Sequence, residues 1–76
     1  MQRPREDATR VNVIVNGESR EVPSGLTVAE LLRQLDISPR GVAVEVNLQI
    51  VPRNQHEQHR LSEGDRLEIV TLVGGG

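Results

Sequence analysis

The sequence predicts an α+β roll of the β-grasp type, in which one main helix packs across one face of a mixed sheet of four or five strands. Three observations lead to this prediction. An alternating apolar segment followed by an Asn-Gly pair indicates a hairpin near the start of the chain. A capped amphipathic helix follows the hairpin, and valine-rich segments then return to the sheet. One helix on one face of the sheet accounts for all the apolar stripes in this order.

The hairpin is predicted from its first strand and its turn. Val11, Val13 and Val15 recur with a period of two, which is typical of a strand with one buried face. Asn16-Gly17 is the strongest short-range signal for a type I′ turn, because both turn positions need a positive φ. The second strand is then expected at residues 19–22, ending before a Pro-Ser-Gly segment.

A helix is predicted over residues 27–36. Thr27 is a good N-cap, and Glu30 follows three residues later, which is the capping-box arrangement. Pro39 is expected to stop the helix, because proline forces the preceding residue out of the helical region. One apolar stripe at helical spacing is formed by Val28, Leu31, Leu32 and Leu35.

Three further extended segments are predicted at residues 41–47, 49–51 and 66–73. The polar stretch between the last two is expected to be irregular, with at most one helical turn. The predicted core combines the inward residues of the helix and strands: Val11, Val13, Val15, Leu26, Leu31, Leu35, Val42, Val44, Leu67 and Ile69.

Length and composition indicate one small domain and argue against several classes of function. The chain has 76 residues, no cysteine, no aromatic residue and a formal net charge of −2. Without a basic surface or aromatic side chains for base stacking, no nucleic-acid partner is expected. No apolar run reaches membrane-spanning length and no signal peptide is recognisable, so we expect no membrane partner and a cytoplasmic location.

The sequence offers no catalytic group and no metal site. His56 and His59 lie three residues apart, but zinc needs three or four ligands, and no cysteine or carboxylate group completes the set. Both histidines are therefore expected in a solvated loop. No serine or threonine has a plausible general base nearby, so the chain is not expected to be an enzyme.

The chain ends in three glycines, Gly74, Gly75 and Gly76, directly after an apolar strand. Because glycine has no Cβ, Gly74 and Gly75 can thread a slot too narrow for side chains. An extended tail reaches roughly 10 Å beyond the folded body and would deliver the Gly76 carboxylate into a partner's active site. The alternative is a frayed end without function. The predicted division is a disordered arm at residues 1–9, a β-grasp domain at residues 10–73 and a flexible tail at residues 74–76.

An exposed aliphatic cluster beside the tail is the predicted docking surface for a partner. Leu67 and Ile69 are expected to face the core of the domain. Val70 and Leu72 then face outward, and we expect them beside Ile14 of the neighbouring strand. Apolar surface next to a protruding tail is typical of a protein–protein contact, although scattered surface apolar residues are ordinary.

Several segments, which together cover nearly all of the chain from Val11 onward, resemble one known family in their order and spacing. They are Val15-Asn16-Gly17, TVAELL at residues 27–32, GVAVEVN at residues 41–47, IVPR at residues 50–53, Gly64-Asp65 and Gly75-Gly76. With these segments the chain resembles the ubiquitin-like sulfur carriers, and most closely the ThiS family of thiamin biosynthesis. The IVPR segment favours this family over the related molybdopterin carriers.

The resemblance implies a sulfur carrier that binds no cofactor of its own. A ThiF-like adenylating enzyme would use ATP and Mg²⁺ to activate the Gly76 carboxylate, which then becomes a thiocarboxylate. The sulfur would come from a sulfurtransferase or a cysteine desulfurase and pass to a ThiG-like thiazole synthase. The alternatives are a carrier for molybdopterin or cysteine synthesis, a protein modifier that forms an amide with a lysine, and an interaction module with an inert tail.

Overall fold

The computed structural model describes residues 10–72, so the predicted arm at residues 1–9 and the end of the chain lie outside the described part. The secondary structure begins with β1 (Arg10–Val15) and β2 (Glu18–Pro23), followed by helix α1 (Val28–Gln34). The chain then forms β3 (Val42–Val46), the short β4 (Gln49–Ile50), a 3-10 helix (Arg53–Gln55) and β5 (Arg66–Thr71).

The strands form one five-stranded mixed sheet in the order β2-β1-β5-β3-β4. β1 and β5 are parallel, and the remaining neighbours are antiparallel. The last strand in the sequence therefore inserts into the centre of the sheet, between the two hairpins. The predicted α+β roll with a β-grasp sheet is confirmed by this topology.

Both hairpins turn through two residues that have positive φ. The predicted turn at Asn16 (φ 50°) and Gly17 (φ 86°) is confirmed. The second hairpin turns at Asn47 (φ 53°) and Leu48 (φ 71°), which sequence analysis did not identify as a turn. Leucine lacks the conformational freedom that makes an Asn-Gly pair recognisable, so the sequence carried only half of the signal.

Helix α1 begins as predicted but ends differently. The Glu30 N–H donates to Thr27 Oγ1 (3.1 Å) and the Thr27 N–H donates to Glu30 Oε1 (2.9 Å), which confirms the capping box. At the other end, Asp36 adopts a left-handed conformation (φ 59°). Its N–H donates to the Arg33 carbonyl, and the Ile37 N–H donates to the Leu32 carbonyl. This pair of bonds is a Schellman motif, which stops the helix before Pro39 can act.

The core lies between α1 and one face of the sheet. Every residue of the predicted core is either buried in it or packed against it. The core also contains Val28 and Leu32 of the predicted helix stripe, and further members at strand ends or in segments without a regular period, which the sequence pattern did not indicate. The buried apolar residues are Val13, Val15, Val22, Leu26, Val28, Leu31, Leu32, Val44, Val46, Val51, Leu61 and Leu67.

The segment after β4 packs against the start of α1, so the prediction of a solvated loop is wrong for His56. This side chain is only 3% exposed, and its Nε2 lies 3.1 Å from the Val51 carbonyl oxygen. The backbone carbonyls of His56 and His59 accept from the N–H groups of Ala29 and Val28. The N–H groups of the first helical turn have no acceptor within the helix. The carbonyls of the segment after β4 supply these acceptors and so fix that segment against the start of α1.

Two asparagines, one in each hairpin turn, hold β5 in its register. The Ile69 N–H donates to Asn16 Oδ1 (2.7 Å), and Asn16 Nδ2 donates to the Ile69 carbonyl (3.2 Å). On the other side, the Arg66 N–H donates to Asn47 Oδ1 (3.0 Å), and the Asn47 N–H donates to the Arg66 carbonyl (2.7 Å). Each asparagine thus substitutes for a strand residue at the point where its own strand has turned away.

We predict that Asn16→Gly lowers the free energy of unfolding by about 1 kcal/mol, because it removes both side-chain bonds to Ile69 while glycine keeps the positive φ. Chemical denaturation followed by circular dichroism measures the change. The matched control is Leu48→Gly, which also places glycine at a positive φ but at a side chain that is 88% exposed. The control should be unchanged or more stable. A loss of equal size in both variants would contradict the role of Asn16.

The capping box should make stability depend on pH through Glu30. The hydrogen bond from the Thr27 N–H, supported by the Thr27 hydroxyl and the charges of Arg33 and Arg60, lowers the pKa of Glu30 below its ordinary value of 4.5. Because the pKa is lower in the folded state, the ionised carboxylate stabilises the fold at pH values above about 4.5. This contribution is lost as the pH falls through the folded-state pKa.

Glu30→Gln tests this dependence, because glutamine keeps a capping side chain without a titrating carboxyl. Thermal unfolding midpoints of both proteins should be compared from neutral pH down into the acid range. The stability of the wild type relative to the variant should fall below about pH 4.5. A constant difference between the two proteins across this range would show that Glu30 does not stabilise the folded state through its charge.

Candidate functional site

The candidate site begins where β5 leads out of the sheet. The Leu72 N–H donates to the Gly41 carbonyl (2.7 Å), and this is the last hydrogen bond of β5 within residues 10–72. The predicted tail residues Gly74, Gly75 and Gly76 lie outside the described part of the chain. What the structure supplies is therefore the base of the tail. It is a central strand that is bonded on both sides as far as Ile69 and on the β3 side as far as Leu72.

The face of the sheet opposite α1 carries apolar residues near the base of the tail. Val70 on β5 is 49% exposed, and Leu72, directly after β5, is 55% exposed. Ile14 also faces outward, but it pairs with Arg66 and is half-buried. At about 3.3 Å per residue, Ile14 lies roughly 13 Å along the strand direction from Val70. The structure thus brings Val70 and Leu72 together and leaves Ile14 apart from them.

Two further apolar residues of the outward face, Ala43 and Ile50, were not predicted as part of the docking surface. Ala43 lies directly opposite Val70 on β3, and Ile50 on β4 is 61% exposed opposite Glu45. An alternating pattern cannot supply the pairing of β3 with β5 and β4, which places Ala43 beside Val70 and Ile50 beside Glu45. The apolar surface near the tail therefore extends across β5, β3 and β4.

Two carboxylates interrupt this apolar surface. Glu45 on β3 lies directly opposite Glu68 on β5, and both face outward. We define the outer patch as the set of outward residues on the tail side of the sheet: Ala43, Glu45, Ile50, Glu68, Val70 and Leu72.

The remaining concave surfaces carry few reactive groups. A groove of about 240 Å³ lies between the two hairpin turns and is lined by residues that include Ile14, Leu48 and Arg66. A second cavity of about 170 Å³ lies between α1 and the 3-10 helix, beside His56. Within residues 10–72, no three His, Asp or Glu side chains are grouped closely enough to share a metal ion. No helix in this range is long and apolar enough to cross a membrane.

A family model, a sequence relative and a solved structure all relate this chain to the same family. The model of the ThiS family matches residues 8–76. The sulfur carrier protein ThiS of Escherichia coli (strain K12) is 38% identical over 66 residues, covering 87% of this chain and 100% of that protein. The crystal structure of thiamine biosynthesis protein ThiS from Geobacter metallireducens superposes with a TM-score of 0.75 at 32% identity, covering 87% of this chain and 100% of that one.

A second group of relatives consists of longer proteins. Thiazole synthase of Paramagnetospirillum magneticum is 44% identical over 66 residues, and thiazole synthase of Magnetococcus marinus is 36% identical over the same length. The match covers 87% of this chain but spans only 20% of each of those proteins. Since the family model covers most of the sequence, and full-length relatives match it in sequence and in fold, the chain belongs to the ThiS family.

Proposed function

We propose that this chain is a sulfur carrier of thiamin biosynthesis, which carries sulfur as a thiocarboxylate on Gly76. The observation that supports the proposal most directly is the path of β5. A central strand, fixed on both edges by asparagine side chains, leads through Leu72 into a segment that ends in three glycines. Membership of the family that contains the Escherichia coli sulfur carrier supports the same conclusion.

The chemistry follows from the weakness of a carboxylate as an acyl electrophile. A ThiF-like enzyme would transfer AMP from ATP, with Mg²⁺, to the Gly76 carboxylate and release pyrophosphate. A persulfide of the sulfur donor then displaces AMP and forms an acyl disulfide. A thiol of the donor cleaves the sulfur–sulfur bond, which leaves the thiocarboxylate on Gly76 and a disulfide on the donor. All reactive side chains belong to the partners, so the chain acts as a carried substrate.

The tail has the reach that this role needs. Residues 73–76 follow the last described residue, and four extended residues span about 13 Å. The three glycines have no side chain beyond Cα, so they fit a narrow channel that leads to a buried nucleotide. The folded domain would then stay on the surface of the partner while only the tail enters the active site.

The expected recipient of the sulfur is a ThiG-like thiazole synthase. Support for this partner comes from the Paramagnetospirillum and Magnetococcus relatives, in which a region similar to this chain makes up one fifth of a protein named thiazole synthase. Joining two domains in one chain raises their effective concentration and favours their contact. Because activation of the tail consumes ATP, we place the reaction in the cytoplasm.

The intact mass of the protein tests the carrier role. After incubation with ATP, Mg²⁺, a ThiF-like enzyme and a persulfide donor, we expect a mass gain equal to the exchange of one oxygen for sulfur, mapped to Gly76. Deletion of Gly76, or addition of one residue after it, should abolish the gain. Both variants should unfold at the wild-type temperature, because the change lies beyond the last hydrogen bond of the described sheet.

Three outcomes would each contradict a different part of the proposed function. Adenylation that is not followed by the exchange of oxygen for sulfur would refute the sulfur-carrier proposal and favour amide formation with a target protein. A thiocarboxylate that forms but is not consumed by a thiazole synthase would refute the assignment to thiamin and favour a carrier for another pathway. Retained sulfur transfer in the extended variant would refute the mechanism through Gly76.

A further inference from the structure

Two glutamates face each other at the centre of the outer patch. Glu45 and Glu68 are directly opposite on the antiparallel pair of β3 and β5. Side chains in this position have Cβ atoms about 4.5–5.5 Å apart, and like charges there destabilise the sheet. The sheet thus places two like charges opposite each other, and replacing either glutamate by an uncharged residue would remove that pairing.

Within residues 10–72, neither glutamate of this pair takes part in an ion pair. The ion pairs within residues 10–72 are Arg10–Glu21 (3.9 Å) and Arg33–Glu57 (3.1 Å), and neither involves Glu45 or Glu68. Arg66 is outward-facing and diagonal to Glu45, but neither carboxylate of the pair lies within ion-pair distance of its guanidinium.

The surroundings of the two carboxylates are apolar towards the tail, whereas Arg66, two residues before Glu68 on the same face, lies on the other side. Ala43 and Val70 lie on one side of the pair, and Ile50 lies beside Glu45 on β4. Leu72 extends this surface to the last described residue before the tail. A charged pair used only to keep a surface in solution does not need neighbouring apolar side chains that are about half exposed or more. Binding energy in protein interfaces is concentrated in a few central contacts, often made by arginine, and the surrounding contacts exclude water from them. The two carboxylates and the apolar residues beside them fit that arrangement.

We propose that the outer patch binds the thiazole synthase through a cationic side chain of that partner, which inserts between Glu45 and Glu68. The proposal rests on the sulfur-carrier function inferred above and names the contact that recognises the recipient. Arginine fits best, because its planar guanidinium has five donors and can bind two carboxylates at once. The apolar residues of the outer patch would pack around it and strengthen the attraction by excluding water.

The proposal makes stability and binding respond in opposite directions. In the free protein, neutralising one glutamate relieves the repulsion across β3 and β5. In the complex, the same change removes one of the two carboxylates that hold the partner's cation. A variant that folds better but binds worse cannot owe its weaker binding to unfolding.

The test compares Glu45→Gln and Glu68→Gln with the control Glu21→Gln. The control substitution removes the same charge from the outward face. Glu21 itself lies on β2, separated from Glu45 by β1 and β5, and it pairs with Arg10. Calorimetric titration of each protein with the purified thiazole synthase should show a Kd raised roughly tenfold or more for the first two variants. The control should change by less than about twofold, since exposed ion pairs contribute little.

Thermal unfolding of the free variants provides the second measurement. Glu45→Gln and Glu68→Gln should leave the midpoint unchanged or raise it by roughly 1–5 °C. Raising the salt concentration should weaken binding of the wild type more than binding of either variant.

Several outcomes would overturn the proposal. Unchanged affinity in both variants would show that the glutamates do not contact the partner. An equal loss in Glu21→Gln would show a general effect of net charge. Weaker binding to the adenylating enzyme alone would assign the outer patch to that enzyme instead.

The mass of the Gly76 thiocarboxylate, measured on the same variants, separates this proposal from the proposed function. Its formation in Glu45→Gln at the wild-type rate, together with weakened synthase binding, would support the docking role. Its absence in the wild type would refute the carrier function, whereas wild-type failure to bind the synthase would refute the docking proposal.

Discussion

The placement of β5 is the constraint on which the rest of the molecule depends. This strand comes last among the strands of residues 10–72, yet it lies at the centre of the sheet. Its hydrogen bonds to Asn16 on one edge and to Asn47 on the other fix its register where the neighbouring strands have already turned. Because both asparagines have positive φ in two-residue turns, turn geometry and strand register are determined together.

The core and the helix follow from this arrangement. Leu67 on β5 is buried against α1, so the central strand completes the apolar layer that the two hairpins leave open. The segment that connects β4 to β5 closes the remaining side, with the carbonyls of His56 and His59 bonded to the first turn of the helix. The bond from the Ala29 N–H to the His56 carbonyl holds His56 against the helix, where its side chain is buried. Its Nε2 lies within hydrogen-bond distance of the Val51 carbonyl oxygen.

The same strand connects the rigid body to the proposed chemistry. The inward residues of β5 hold the core, its outward residues Glu68 and Val70 form part of the outer patch, and its end leads to the tail. In the proposed function the domain supplies recognition and the tail supplies a reactive terminus, while the partners supply activation and sulfur. A small chain can serve several enzymes in this way, because none of the catalytic groups has to be built into its own sheet.

The sequence by itself determined the local elements: the first hairpin, the capping box of Thr27 and Glu30, and the inward faces of β1, β3 and β5. These features depend on residues a few positions apart, so their signals are contained in short segments. Tertiary structure alone decided that Ile14 lies beside Arg66 instead of Val70, that Glu45 opposes Glu68, and that His56 is buried. An alternating pattern fixes which face a residue occupies, but it does not fix the register between strands that lie far apart in the sequence.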